Sequence, residues 1–178
     1  MLFRSGPIQA LGIGSFGPVG VTPNQDGYGV IGRTPKEAWQ GVNLVSYFAK
    51  LGVPVAVDTD VNVAARGEFA AWGRPSGRLI YVTVGTGIGA GVVDSGSTSL
   101  GMDHAEMGHI TVRPHQEDSF EGLCPYHRHC LEGLASGPAI AARWGTTLSE
   151  LNEHHPAHRI IAYYLGQLSA TLLLTFSP

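Results

Sequence analysis

Hydrophobic residues fall in short blocks separated by Gly- and Pro-rich punctuation, the pattern of strands alternating with helices. The block Ala10–Gly14 predicts a buried strand that ends in the turn-forming run Phe16-Gly17-Pro18-Val19-Gly20. A helix is expected next. Thr34 is placed to cap it, Pro35 suits its first position, and Glu37 completes a capping box. Trp39, Val42, Val45, Tyr47, Phe48 and Leu51 supply its apolar face, and Gly52 ends it. Val53–Val57 predicts a second buried strand, broken by Asp58-Thr59-Asp60, and a helix over Val61–Trp72 stops at Gly73. Two strands, Arg78–Val84 and Gly89–Val93, follow around a Gly/Thr turn, and two helices, Leu131–Trp144 and His158–Phe176, close the chain. The polar turn Arg74-Pro75-Ser76-Gly77 is the best internal boundary, so the pattern predicts an α/β fold of two lobes, residues 1–73 and 74–178.

Composition narrows the class. Of 178 residues 43% are hydrophobic and only 14% charged, against about a quarter in an average soluble domain. With 25 Gly and 11 Pro, this argues for a loop-rich α/β protein with much buried surface, not a disordered chain or a coiled coil. A net charge of −3 without any Lys/Arg block excludes nucleic acid and anionic membrane as main partners. The apolar run Ile160–Phe176 contains Gln167, Ser169, Thr171 and Thr175 and is shorter than the roughly 20 residues of a membrane span, so it reads as a core helix. Met1–Ser5 lacks the apolar stretch of a secretory signal. Two Cys are too few for a disulfide scaffold and suit a reducing compartment, so a cytoplasmic location is expected.

Three groups of residues can carry chemistry. Thr83-Val84-Gly85-Thr86-Gly87-Ile88-Gly89-Ala90-Gly91 alternates glycines after a strand, which lets backbone N–H groups approach phosphate oxygens; a hairpin needing glycines for positive φ reads equally well. It is neither a Walker A loop nor a dinucleotide fingerprint. Asp60, between a buried strand and a helix, suits either a general base at a sheet edge or a helix N-cap, and Asp58 shares the ambiguity. His109, Cys124, His127 and Cys130 supply four borderline-soft ligands in an order that suits tetrahedral Zn²⁺ better than copper, iron or magnesium. His129 competes with His127 for its place, and His104 or His115 with His109. Glu106 and Glu132 bracket the cluster, where carboxylates orient ligating His residues or face a polar substrate.

Four motifs in this order, Asp58-Thr59-Asp60-Val61-Asn62-Val63-Ala64-Ala65, Gly85-Thr86-Gly87-Ile88-Gly89-Ala90-Gly91, Ala105-Glu106-Met107-Gly108-His109 and Cys124–Gly133, resemble the ROK family of sugar kinases and repressors, most closely its bacterial fructokinase branch. The resemblance implies an actin-like, ribonuclease-H-like fold of two lobes closing over a sugar and ATP. It implies that Asp60 deprotonates the attacking sugar hydroxyl, that Gly85, Thr86, Gly87 and Gly89 hold phosphate, and that Glu106, His109, Glu132 and Asp60 contact the sugar. It also implies structural Zn²⁺ on His109, Cys124, His127 and Cys130, Mg²⁺ arriving with ATP, a hexose substrate with fructose preferred, and association as a dimer. The wider family commonly has three thiolates and one His at the metal, and Asn where this chain has Thr59. Neither the family's Asp-x-Gly-Gly-Thr phosphate turn nor its glycine-rich adenosine segment is found, so the expectation is an internal portion of a longer kinase. The alternative is a sugar-sensing module of a ROK-type transcriptional repressor without kinase activity.

Overall fold

A computed structural model describes residues 6–73, 77–98 and 105–178. The Met1–Ser5 head, His104 and Arg74-Pro75-Ser76 of the proposed boundary lie outside them. Strand β1 (Leu11–Ser15) pairs in parallel with β2 (Val55–Thr59), from Leu11 opposite Val55 to Ser15 opposite Thr59. Both strands stand close to their predicted places, although β2 extends through Asp58 and Thr59. Beneath the pair, Val19, Val21, Ile31, Leu44 and Val57 form one buried cluster.

The helix expected over residues 34–51 is not continuous. Its segment contains a 3₁₀ turn at Glu37–Trp39, then α1 (Leu44–Phe48) and a final 3₁₀ turn at Ala49–Leu51. Tertiary pairing breaks it: the Gly41 N–H donates to Ile31 O at 2.8 Å, and the Ile31 N–H donates to Val42 O at 2.9 Å. Those backbone groups cannot also serve helical bonds. Gly41 takes the left-handed conformation that the reversal needs (φ +77°). Thr34 is buried and caps nothing longer than a turn; the capping role falls to Asn43, whose Oδ1 accepts from the Ser46 N–H at 2.8 Å. The predicted stop is found, with Gly52 at φ +66°.

Helix α2 (Asp60–Ala71) leaves β2 directly and lies between the parallel pair and a second, antiparallel sheet. That sheet orders β3 (Arg78–Val84), β4 (Ile88–Asp94) and β5 (Ser97–Thr98), with Val84 opposite Ile88. Glycines let the first turn of α2 wedge in. A Cβ on Gly91 would meet Val61 O at 2.4 Å, and one on Gly14 would meet Val63 Cβ at 3.2 Å.

Further along the chain come α3 (Leu131–Ala135), α4 (Gly137–Trp144) and α5 (Pro156–Phe176). The single helix expected over 131–144 is thus two, broken at Ser136 in extended conformation (ψ 162°). Pro138 has no N–H to give Leu134 O, and the Gly137 N–H is diverted to Gly85 O at 2.7 Å. The Arg143 side chain satisfies Leu134 O instead, at 2.6 Å. Helix α5 buries Ile160, Ile161, Tyr164, Leu168 and Leu172 in the largest core cluster, with Leu131, Leu134 and Ile140. Among the described residues no helix is long and apolar enough to cross a membrane.

Candidate active site and metal centre

Thr59, the last residue of β2, resolves the ambiguity of Asp60. Its Oγ1 accepts from the Asn62 N–H at 3.2 Å, so Thr59 is the N-cap of α2 and Asp60 is the first helical residue. The cap reading of Asp60 is therefore corrected: two good capping residues stand side by side, and the extended backbone of Thr59 (φ −68°, ψ 154°) selects the first. Asp60 is exposed, with its Oδ1 accepting from the neighbouring Val61 N–H at 2.9 Å. Asp58 is tied into the junction instead, its Oδ1 accepting from the Thr59 N–H at 2.8 Å and from Asn62 Nδ2 at 2.7 Å. One carboxylate locks the strand to the helix; the other faces solvent at the same edge.

The glycine loop is the β3–β4 turn, but none of Gly85, Gly87, Gly89 and Gly91 adopts positive φ. The hairpin reading based on φ is corrected: at Gly87, Gly89 and Gly91 the requirement is close approach. A Cβ on Gly87 would lie 2.8 Å from Glu132 Oε2, and one on Gly89 would lie 3.1 Å from Val61 Cγ1. The Gly85 N–H closes the turn on Gly87 O at 2.9 Å, and the Ile88 N–H donates to Glu132 Oε2 at 2.9 Å. Gly85 and Thr86 are exposed at the tip.

His109, Cys124, His127 and Cys130 converge, their ligand atoms all within 4.8 Å of one another. His109 comes from a 3₁₀ turn (Met107–His109), and Cys130 is the N-cap position of α3. Between them, Cys124 and Arg128 exchange backbone hydrogen bonds of 3.2 and 2.9 Å, forming a tight knuckle with Arg128 at φ +48°. His109 Nδ1 lies 3.4 Å from Cys130 Sγ and 3.6 Å from Cys124 Sγ; His127 Nδ1 is 3.8 Å from Cys124 Sγ. A tetrahedral ion with bonds of about 2.3 Å to sulfur and 2.0–2.1 Å to nitrogen separates its ligand atoms by about 3.3–3.8 Å, the range in which these three contacts fall. Both thiols are buried, and burial pushes that of Cys130 up to about 11. His129, exposed, is not in the group, and His115 is engaged elsewhere, its Nδ1 accepting from the Glu117 N–H at 3.1 Å.

The opposite edge of the His109 ring faces carboxylates. Its Nε2 lies 3.9 Å from Glu106 Oε2 and 3.9 Å from Glu132 Oε1. One imidazole thus spans the thiol pair and two acids that can hydrogen-bond a polyhydroxylated ligand. The start of β4 assembles this arrangement. Ile88 binds Glu132 through its N–H, Gly108 packs so tightly on Ile88 O that a Cβ would come to 1.9 Å, and Val61, next to Asp60, sits on Gly89 and Gly91.

Residues 4–178 match the ROK family. The chain is 45% identical to the fructokinase of Zymomonas mobilis subsp. mobilis over 95% of its own length and 58% of that protein's. With the fructokinase of Lactococcus lactis subsp. cremoris it shares 39% identity over 99% of this chain and 61% of the relative. It therefore spans about three-fifths of the length of these curated relatives. Among solved structures, a ROK hexokinase from Thermus thermophilus superimposes with a TM-score of 0.72 at 29% identity, over 96% of this chain and 60% of that one. A ROK family glucokinase from Streptomyces griseus, in complex with glucose and AMPPNP, gives 0.71 at 25% identity over 98% of this chain and 64% of that one. The two sheets and the helix between them are thus part of an actin-like fold. On its fold, on these relatives and on the match across nearly all its residues, the chain belongs to the ROK family.

Proposed function

We propose that this chain carries the sugar-binding and proton-abstracting part of an ATP-dependent hexose kinase, with fructose as acceptor and fructose 6-phosphate as product. The observation that carries the reading is the release of Asp60 from capping by Thr59, which leaves an exposed carboxylate at the C-terminal edge of β2. Ligands of open α/β sheets gather at that edge. Asp60 takes the proton of the attacking hydroxyl; the oxygen bonds to the γ-phosphorus, and ADP leaves with the electron pair of the broken P–O bond. Glu106, Glu132 and His109 Nε2 hold the sugar's other hydroxyls, and Gly85, Thr86, Gly87 and Gly89 line the phosphates at the β3–β4 turn. Mg²⁺ bound with ATP supplies charge neutralisation at the phosphates. His109, Cys124, His127 and Cys130 hold Zn²⁺, whose contribution is structural: it fixes the ring that faces the sugar. The lobes divide at residues 73 and 74, with the acceptor site between them, and the full protein associates as a dimer.

Fructokinase relatives that match 95% or more of the chain support the kinase reading over the repressor one. The test is a protein of the relatives' length containing this sequence, given ATP, Mg²⁺ and each hexose in turn. Fructose-dependent ADP release, with fructose 6-phosphate as product and slower turnover of glucose and mannose, is the expected result. No hexose-dependent release would contradict kinase activity, and faster turnover of another hexose would contradict the choice of fructose.

A further inference from the structure

The two ends of the metal site are joined by Ile110–Leu123, a segment without helix or strand. Long irregular loops make poor scaffolds for a four-ligand site, because their closure entropy is lost when the ligands are brought together. This one is fastened to α5 by side chains far away in sequence. Gln167 brackets Arg113, its Oε1 accepting from the Arg113 N–H at 2.8 Å and its Nε2 donating to Arg113 O at 3.1 Å. The Tyr164 hydroxyl, in a fully buried residue, accepts from the His115 N–H at 3.1 Å and donates to Asp118 Oδ2 at 2.7 Å.

Asp118 is the centre of this fastening. Its side chain is 3% exposed. One oxygen accepts from the Phe120 N–H at 3.1 Å, and the other receives Tyr164 and lies 3.0 Å from Arg143 Nη1. The Arg143 side chain, 8% exposed, also donates to Leu134 O at the end of α3. Its guanidinium carbon lies 4.4 Å from the Phe120 ring centre and 4.6 Å from that of Trp144. A buried ion pair gives little net stability, since desolvation offsets the Coulombic gain; with both Asp118 oxygens hydrogen-bonded and Arg143 held through Nη2, what this pair supplies is a defined geometry. Here the geometry defined is that of the middle of the loop relative to α3, which directly follows Cys130 and carries Glu132.

We infer that Asp118, Arg143 and Tyr164 are positioning residues for the metal and sugar site, holding the His109–Cys124 segment in its ligating shape before any ion arrives. The inference rests on the metal reading given above. It places determinants of metal affinity outside the ligands themselves, in a set whose hydrogen bonds and ion pair go to other residues.

The test uses the 178-residue chain with Asp118→Asn and Tyr164→Phe, the second of which removes only a hydroxyl and keeps the core filled. Phe69→Ala, in the separate cluster with Ala65 and Val93, controls for general loss of stability. Zn²⁺ affinity is read by competition with a chromophoric chelator, and amide hydrogen exchange of Arg113, His115 and Phe120 is read after chelator treatment. The expected result is protected loop amides in the metal-free wild type, lost protection in Asp118→Asn, and Zn²⁺ affinity lowered at least about tenfold, as for ligand-orienting partners elsewhere. Tyr164→Phe lowers it less, and Phe69→Ala leaves it unchanged. Affinity unchanged in both loop variants, or falling equally in Phe69→Ala, overturns the inference. A wild-type chain that takes up no Zn²⁺ instead refutes the metal reading beneath it.

Discussion

At residue scale, the informative pair is Thr59 and Asp60. Thr59→Ala removes the N-cap of α2 and is expected to cost about 1 kcal/mol in urea unfolding. Asp60→Asn, at an exposed first-turn position, loses only its part in the helix dipole, and less than about 1 kcal/mol is expected. The reverse ranking would restore Asp60 as the cap. The carboxylate's type and its place after a strand are legible in the residues alone. Which of two adjacent capping residues takes the cap is not, because a backbone dihedral decides it. The ligands behave differently. Cys-x2-His-x2-Cys spacing brings three donors near one another through a local knuckle, so the set is readable locally, whereas the choice of His109 depends on how Gly108 packs on β4. Beyond the turn that Asp118 makes with the Phe120 N–H, the bonds joining Asp118, Arg143 and Tyr164 run between positions far apart in the chain, which no local pattern signals.

At element scale, strands and the closing helix stand near their predicted places, and the failures are both in helices. Residues 34–51 carry complete helix-start signals, yet pairing of Gly41 and Val42 with Ile31 overrides them, an interaction between segments that no local pattern contains. The break at Ser136 did have a signal, since Pro138 cannot donate within a continuous helix. Packing between α2 and β4 leaves no room for a side chain at Gly91. Gly91→Ala drives a Cβ into the Val61 carbonyl and is expected to destabilise by about 2–3 kcal/mol or abolish folding, read by thermal unfolding. Tolerance within about 0.5 kcal/mol would contradict the wedge described for α2. Helix α5 offers a pH test. Burial, with the Asp118 hydrogen bond adding to it, pushes the Tyr164 hydroxyl from 10.0 up to about 12. The unfolded chain then loses this proton first as pH rises, so stability falls between about pH 10 and 12 and is fully present below. Tyr164→Phe removes that component, and the difference between the two stability–pH curves measures it.

At the scale of the molecule, low charge and many glycines take on a specific meaning: glycines mark where α2, the Met107–His109 turn and α3 close in on β4, and β4 in turn places the acids around His109. Metal should couple to the whole. At a hundredfold excess over its dissociation constant, Zn²⁺ is expected to stabilise the chain by about 2.7 kcal/mol. Chelation should lower the melting temperature of the wild type and leave a Cys124→Ser/Cys130→Ser variant unmoved. The proposed phosphoryl transfer with Asp60 as base belongs to a protein of the relatives' length. The direct measurement compares wild type with Asp60→Asn there, in fructose-dependent turnover of ATP and in fructose binding. A loss of at least about 10²–10⁴-fold in kcat, with fructose affinity little changed, is predicted. A variant that turns over at near-normal rate would remove Asp60 from the chemistry.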